Sequence, residues 1–214
     1  MTARRRRGFT LVEVLVVMAI ISVLAGIVIA SVSVARRFGD LKAVGIEIQT
    51  LVQGINGYCQ QWGDYPPSSL AGLKVKPPNT TNDGIEALVL CLSSRKKGGP
   101  FFEFKDDRLT NGDGDALSPK DFGVLRKDLD PIQTVPQLFE FIDLWGNPFV
   151  YIHNRDYASK KIQYFDRNGK TFTVVAARSV KLGTYQSATT FQIWSFGANG
   201  LNENGDGDDI ASWK

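Results

Sequence analysis

Apolar positions are arranged along this chain in three different ways. Residues 9–35 form one apolar run interrupted by a single charge, Glu13. As a helix, a run of that length rises about 40 Å, against about 30 Å for the hydrocarbon core of a bilayer. Beyond it the apolar residues are spaced: Leu41, Val44, Ile48, Leu51, Ile55, Tyr58 and Trp62 follow one another at intervals of 3 and 4. That spacing lays them along one helix face, so the helix is expected to continue past the membrane and bury a stripe in a globular domain. Gly39, Gly45, Gly54 and Gly57 fall in the same stretch. Each costs up to about 1 kcal/mol against alanine in a helix, which indicates close packing or bending. Gly63-Asp64-Tyr65-Pro66-Pro67 then stops the helix by turn chemistry.

After that break, a loop containing Pro77 and Pro78 leads to a short apolar helix at 85–90. Residues 93–136 are polar and broken by Gly and Pro, and are expected to form a long inserted excursion. Strands are predicted at about 149–153, 161–165, 171–176 and 190–196, with Asn168-Gly169 as a hairpin signal between the second and third. The predicted fold is α+β: a long N-terminal helix, partly transmembrane and partly amphipathic, packed on a small antiparallel sheet. The expected divisions are 1–8, a transmembrane part at 9–35, a soluble part of the helix at 36–64 and a head at 65–214.

Charge fixes the orientation of the span. Arg4, Arg5, Arg6 and Arg7 precede it and should stay cytoplasmic, which puts the head on the far side. An ordinary secretory signal has an apolar core of about 7–15 residues followed by a small-residue cleavage site. Here the apolar core is longer, and the small residue, Gly8, comes before it. Gly8-Phe9-Thr10-Leu11-Val12-Glu13 resembles the N-terminus of the type IV pilin family. The resemblance implies removal of residues 1–8 by a prepilin peptidase, N-methylation of Phe9, and storage in the inner membrane until assembly. A carboxylate inside a membrane span is costly and functional by default. In that family the Glu13 position pairs with the amine of Phe9 on a neighbouring subunit. The chain departs from the family at Ala30, where many members have a helix-melting proline; Gly26 lies nearby.

Composition narrows the choice of function. Four of the 25 basic residues lie in the first eight positions, which hold no acid, leaving 21 basic against 22 acidic residues. A near-neutral chain argues against nucleic-acid binding, which wants a basic patch. The single histidine, His153, falls in a predicted strand, and no Ser-His-Asp order, nucleophile elbow, zinc spacing or phosphate-binding glycine loop appears. Trp145 and Trp194 are expected in the core. Cys59 and Cys91 would lie outside the cytoplasm, where disulfides are permitted. A bridge would staple the long helix to the following apolar segment; two free thiols are the other reading.

The C-terminal end offers candidate cation ligands. Ser195-Phe196-Gly197-Ala198-Asn199-Gly200 leads into Asn202-Glu203-Asn204-Gly205-Asp206-Gly207-Asp208-Asp209. Calcium takes six to eight oxygen ligands, often from Asp, Asn and the carbonyls of a glycine-rich loop, although this spacing is not that of an EF-hand. Asn111-Gly112-Asp113-Gly114-Asp115 repeats the sequence of residues 204–208. A second cation site at Asn111, Asp113 and Asp115 is one reading, and a plain polar loop the other.

Trp145-Gly146-Asn147-Pro148, a strand, Ser195-Phe196-Gly197, an acidic loop and Trp213 occur in the order seen in the major pseudopilins of type II secretion systems, which the chain resembles at both ends. In that family the final loop holds a structural calcium. Carried over, Asp208 and Asp209 match paired aspartates, the Phe196 carbonyl contributes, Asn199 stands where an aspartate is usual, and Asp206 would restore the lost charge. The chain is longer than a usual member, mainly in 93–136 and around 159–188. The resemblance implies a non-enzymatic subunit of a periplasmic filament, polymerising with itself and other pseudopilins on an inner-membrane assembly platform. A type IV pilin for adhesion, motility or DNA uptake is an alternative, but these usually end in a disulfide-bounded loop and no cysteine follows Cys91. A membrane-anchored periplasmic binding module or enzyme is a second.

Overall fold

The computed structural model describes residues 10–159, 162–181 and 183–214. The chain divides into two compact units, Met1–Asp40 and Leu41–Lys214. Helix α1 (Leu11–Trp62) has 52 residues and is long and apolar enough to cross a membrane. In the first unit its apolar side chains are exposed, including Leu15, Met18, Ile21, Leu24 and Ile27. A helix that is apolar all round belongs in a core or in lipid. None of the described residues covers it. The hydroxyls of Ser22 and Ser31 donate to the carbonyls of Met18 and Ile27, each at 2.8 Å, so their polar atoms are satisfied within the helix.

In the second unit α1 behaves as its spacing predicts. Val44, Ile48, Leu51, Ile55 and Tyr58 are buried, with Leu41 and Trp62 half-buried at either end. Gly54 is required by close packing: a Cβ there would lie 2.7 Å from the carbonyl oxygen of Phe101.

The remaining elements of this unit follow in chain order. They are α2 (Asp83–Leu92), β1 (Leu109–Thr110), α3 (Pro119–Asp128), β2 (Glu140–Phe141), β3 (Val150–His153), β4 (Ile162–Phe165), β5 (Thr171–Val174), β6 (Arg178–Ser179), β7 (Thr184–Tyr185), β8 (Phe191–Ser195) and β9 (Ile210–Ala211). The expected single sheet is divided among the described residues into four small antiparallel ones: β3-β8-β9, β1-β2, β4-β5 and β6-β7. The Asn168-Gly169 turn does join β4 to β5, with Tyr164 opposite Phe172. All residues of β3 and β8 are buried, so both faces of that pair are covered. Helix α2 packs on β2 and β3, and every residue of it after Asp83 is buried.

The 93–136 excursion is not a bare loop. Its strand β1 pairs with β2, setting Leu109 opposite Phe141 and Thr110 opposite Glu140. Ser118 caps α3 by accepting from the Asp121 amide at 3.2 Å, and Pro119 takes the first helical position. Leu117, Leu125 and Leu129 enter the core. Arg108 ties the excursion to α1 through Glu47 at 2.7 Å and to the Ile142 carbonyl at 2.8 Å.

Candidate functional site

The sequence places candidate functional residues at both ends of the chain. Gly8 and Phe9, with the rest of the 1–8 leader, lie outside the described residues. Glu13 is described, and its role in the single chain is a helix cap. Its Oε2 accepts from the amide and the hydroxyl of Thr10, both at 2.8 Å, while the Glu13 amide donates back to Thr10 Oγ1 at 3.2 Å. This is a reciprocal capping box, and Thr10-x-x-Glu13 is its sequence signature. Glu13 thus has a role within its own chain besides the one the resemblance implies toward a neighbouring subunit. The two roles are compatible, because a carboxylate oxygen accepts more than one hydrogen bond.

In the head, two separate motifs form one joint. The Asp143 carboxylate is buried in the turn before β3. Its Oδ1 accepts from the amides of Trp145 and Asn147, both at 2.9 Å, and its Oδ2 accepts from the Ser195 hydroxyl at 2.7 Å. Ser195 Oγ in turn accepts from the Gly197 amide at 3.1 Å. The Trp-Gly-Asn-Pro turn is thereby locked to the Ser-Phe-Gly segment at the end of β8. Burial pushes the Asp143 carboxyl up from its ordinary value, and the Ser195 and amide hydrogen bonds oppose it. Trp194 is fully buried, with its indole N–H donating to Asn202 Oδ1 at 3.1 Å and its ring edge-on to Trp213. Trp145 lies half-buried against the core.

The C-terminal loop folds back on this joint. Gly197 has φ +66°, and a Cβ there would overlap the Asp208 carbonyl, so the two arms of the loop meet backbone to backbone. The Asn199 side-chain amide donates to Asp208 Oδ1, and the Asn199 backbone amide lies 3.3 Å from Asp208 Oδ2. Asn199 Oδ1 accepts from the Leu201 amide instead. Asp209 is buried; its Oδ2 accepts from Gly205 and Glu203 amides at 2.7 and 3.0 Å. Its Oδ1 is buried with no hydrogen-bond partner among the described residues, and burial pushes the group up to about 6. Asp206 is exposed and Phe196 fully buried. Glu203, which was not among the predicted ligands, accepts from the Asp208 amide at 2.9 Å.

Other predicted residues are spread elsewhere. Asn111, Asp113 and Asp115 do cluster, in the excursion: the Asp115 amide donates to Asn111 Oδ1 at 3.0 Å and lies 3.3 Å from Asp113 Oδ1. Cys59 and Cys91 are both free thiols. Cys91 is fully buried, and burial pushes its thiol up to about 12. His153 is a buried β3 residue whose ring nitrogens face Asp64, at 3.2 Å, and the Arg155 amide, at 3.1 Å. That arrangement joins β3 to the end of α1.

Residues 3–29 match the family model described as the prokaryotic N-terminal methylation motif. No curated protein and no solved structure matches the chain. The matched segment contains the arginines, Gly8, Phe9, Glu13 and most of the exposed apolar part of α1. Such a motif implies a prepilin peptidase substrate and pilus-like assembly, points to a structural subunit, and is compatible with a single-pass membrane anchor. The chain thus carries, at its N-terminus, the methylation signal of type IV pilin-like subunits.

Proposed function

We propose that this protein is a structural subunit of a type II secretion pseudopilus. It is cleaved after Gly8, methylated on Phe9 and held in the inner membrane by the apolar part of α1. Residues 41–214 then form a periplasmic head. Drawn from the membrane by an assembly platform, copies stack their N-terminal helices, with Glu13 against the amine of the neighbouring Phe9, into a short filament that drives protein export. The Asp143–Ser195 hydrogen bond supports this choice within pilin-like subunits, because it makes one built unit of the two head motifs on which the pseudopilin resemblance rests.

Calcium at the C-terminal loop belongs to the same proposal. Asp208, Asp209, Asn199, Asp206 and the Phe196 carbonyl would hold it. The unpartnered Asp209 Oδ1 fits a cation. Asn199 would have to turn its amide to offer an oxygen, since its N–H group faces Asp208.

Deletion of the gene in its native host tests the proposal. The protein content of the culture supernatant is compared with an electron-microscope count of surface pili. Lost secretion with pili intact is expected. Lost pili with secretion intact would move the chain to the adhesive or motility pilins, and no change in either would favour an anchored module.

A further inference from the structure

Two copies of the Asn-Gly-Asp-Gly-Asp sequence behave differently in this fold. The copy at 204–208 closes on its own loop. The copy at 111–115 meets acids from two other elements. Carboxylate oxygens of Glu86 on α2, Asp113 in the excursion and Glu140 on β2 lie within 4.8 Å of one another. Asp115 adjoins them: the Asn79 side-chain amide donates to Asp113 Oδ2 at 2.8 Å and to Asp115 Oδ2 at 3.0 Å.

Glu86 is the revealing member. It is 1% exposed and is the one charged side chain in the buried part of α2, 84–92. Its Oε1 has no hydrogen-bond partner among the described residues, and the same holds for the buried Asp115 Oδ1. Glu140 is better served, by Asn82 Nδ2 at 2.9 Å and the Gly112 amide at 3.0 Å, but both donors are neutral. The ion pairs among the described residues involve Arg108, His153 and Arg155, and none reaches these four carboxylates. Burial, then the charges of Asp115, Asp113 and Glu140, pushes Glu86 up to about 10. Burial and the neighbouring acids likewise push Asp115 up to about 7. A buried carboxylate persists only with a compensating partner.

The ligand atoms are all oxygen, with no thiolate or imidazole, which selects a hard cation. Oxygens on opposite sides of calcium stand up to about 5 Å apart, a span that matches the spread of the Glu86, Asp113 and Glu140 oxygens, with Asp115 beside them. Asn111 shapes the turn by accepting from the Asp115 amide. We propose that Glu86, Asp113, Asp115 and Glu140 bind calcium, which fastens the 93–136 excursion to α2 and β2. This site is distinct from the C-terminal loop and does not depend on how the protein assembles.

The test uses the full chain in detergent micelles, dialysed against calcium chloride alone and analysed for bound calcium and melting temperature. Wild type should hold one more calcium per chain than Glu86→Gln or Asp113→Asn. At calcium about a hundredfold above its dissociation constant, the wild-type melting temperature should rise by about 5–10 °C through this site, and both variants should lose that part of the rise. Asp208→Ala/Asp209→Ala should keep it, which separates the two loops. Asp113 is half-buried, so its amide variant serves where Glu86→Gln fails to fold. A proton alone could also neutralise Glu86. It predicts equal calcium content and equal calcium-induced shifts in wild type and both amide variants, and that result would overturn the proposal.

Discussion

Asp143→Ala should be the most damaging single change in the head outside the hydrophobic core. It removes the shared acceptor of three donors: the Trp145 amide, the Asn147 amide and the Ser195 hydroxyl. Asn147 and Ser195 are fully buried, so water cannot take the place of the carboxylate there. A buried donor left without a partner costs about 1–3 kcal/mol. Two fully buried donors and one partly buried one therefore add to about 3–5 kcal/mol, a large share of a typical stability of about 5–15 kcal/mol. Asp143→Asn keeps an oxygen for the two amides and should cost about 1 kcal/mol. Ser195→Ala removes one donor and frees the Gly197 amide, so it should fall between them. The assay is urea unfolding of the chain in mild detergent, followed by tryptophan fluorescence; all four tryptophans lie beyond residue 40. A loss below about 1 kcal/mol for Asp143→Ala, or Ser195→Ala as costly as Asp143→Ala, would refute the joint as a source of stability.

Three further predictions concern the helix start, the head and the C-terminal loop. Glu13→Gln keeps the capping box, since Gln serves at that position, but removes the charge; filament recovered by sedimentation should be lost while the head's melting temperature stays put, and wild-type assembly would exclude pairing with the Phe9 amine. Asp83 accepts from the Leu70 amide at 2.7 Å, yet burial, with Asp156 adding to it, pushes its carboxyl from 3.8 up to about 6. A raised folded value means that its contribution is full below about pH 4 and is lost as pH rises through about 6, by up to about 3 kcal/mol. Asp83→Asn should reduce the fall in the urea midpoint between pH 4 and 7, the remainder coming from the raised carboxyls of Asp115 and Asp209, and an unchanged profile would contradict this. Asp208→Ala/Asp209→Ala should reduce the calcium-dependent rise in the head's melting temperature, and equal rises in variant and wild type would remove calcium from that loop.

Legibility in the sequence followed the range of the interaction. The α1 stripe depends on residues 3 and 4 apart, and Val44 through Tyr58 are buried as spaced. The β4–β5 hairpin depends on a two-residue turn signal and was equally plain. Helix α3 was missed although Ser118-Pro119 announces its start, because its short span carries few apolar residues. Strand β9 is two residues long, too short to carry an alternation of its own, and exists by pairing with β8 across the C-terminal loop. The acidic cluster shows the same limit. Asp113 and Asp115 stood out as part of a repeated motif, whereas Glu86 is one polar position in an apolar helix. Only the packing of α2 on β2 brings Glu140 to it.

Assembly as a pilin-like subunit requires processing of the N-terminus, and the most direct measurement is mass spectrometry of the N-terminal peptide of the protein recovered from membranes of its native host. The expected peptide begins at Phe9 and carries one added methyl group on its amine. A mature chain that retains the arginines, or one cut beyond the apolar run, would contradict assembly as a pilin-like subunit.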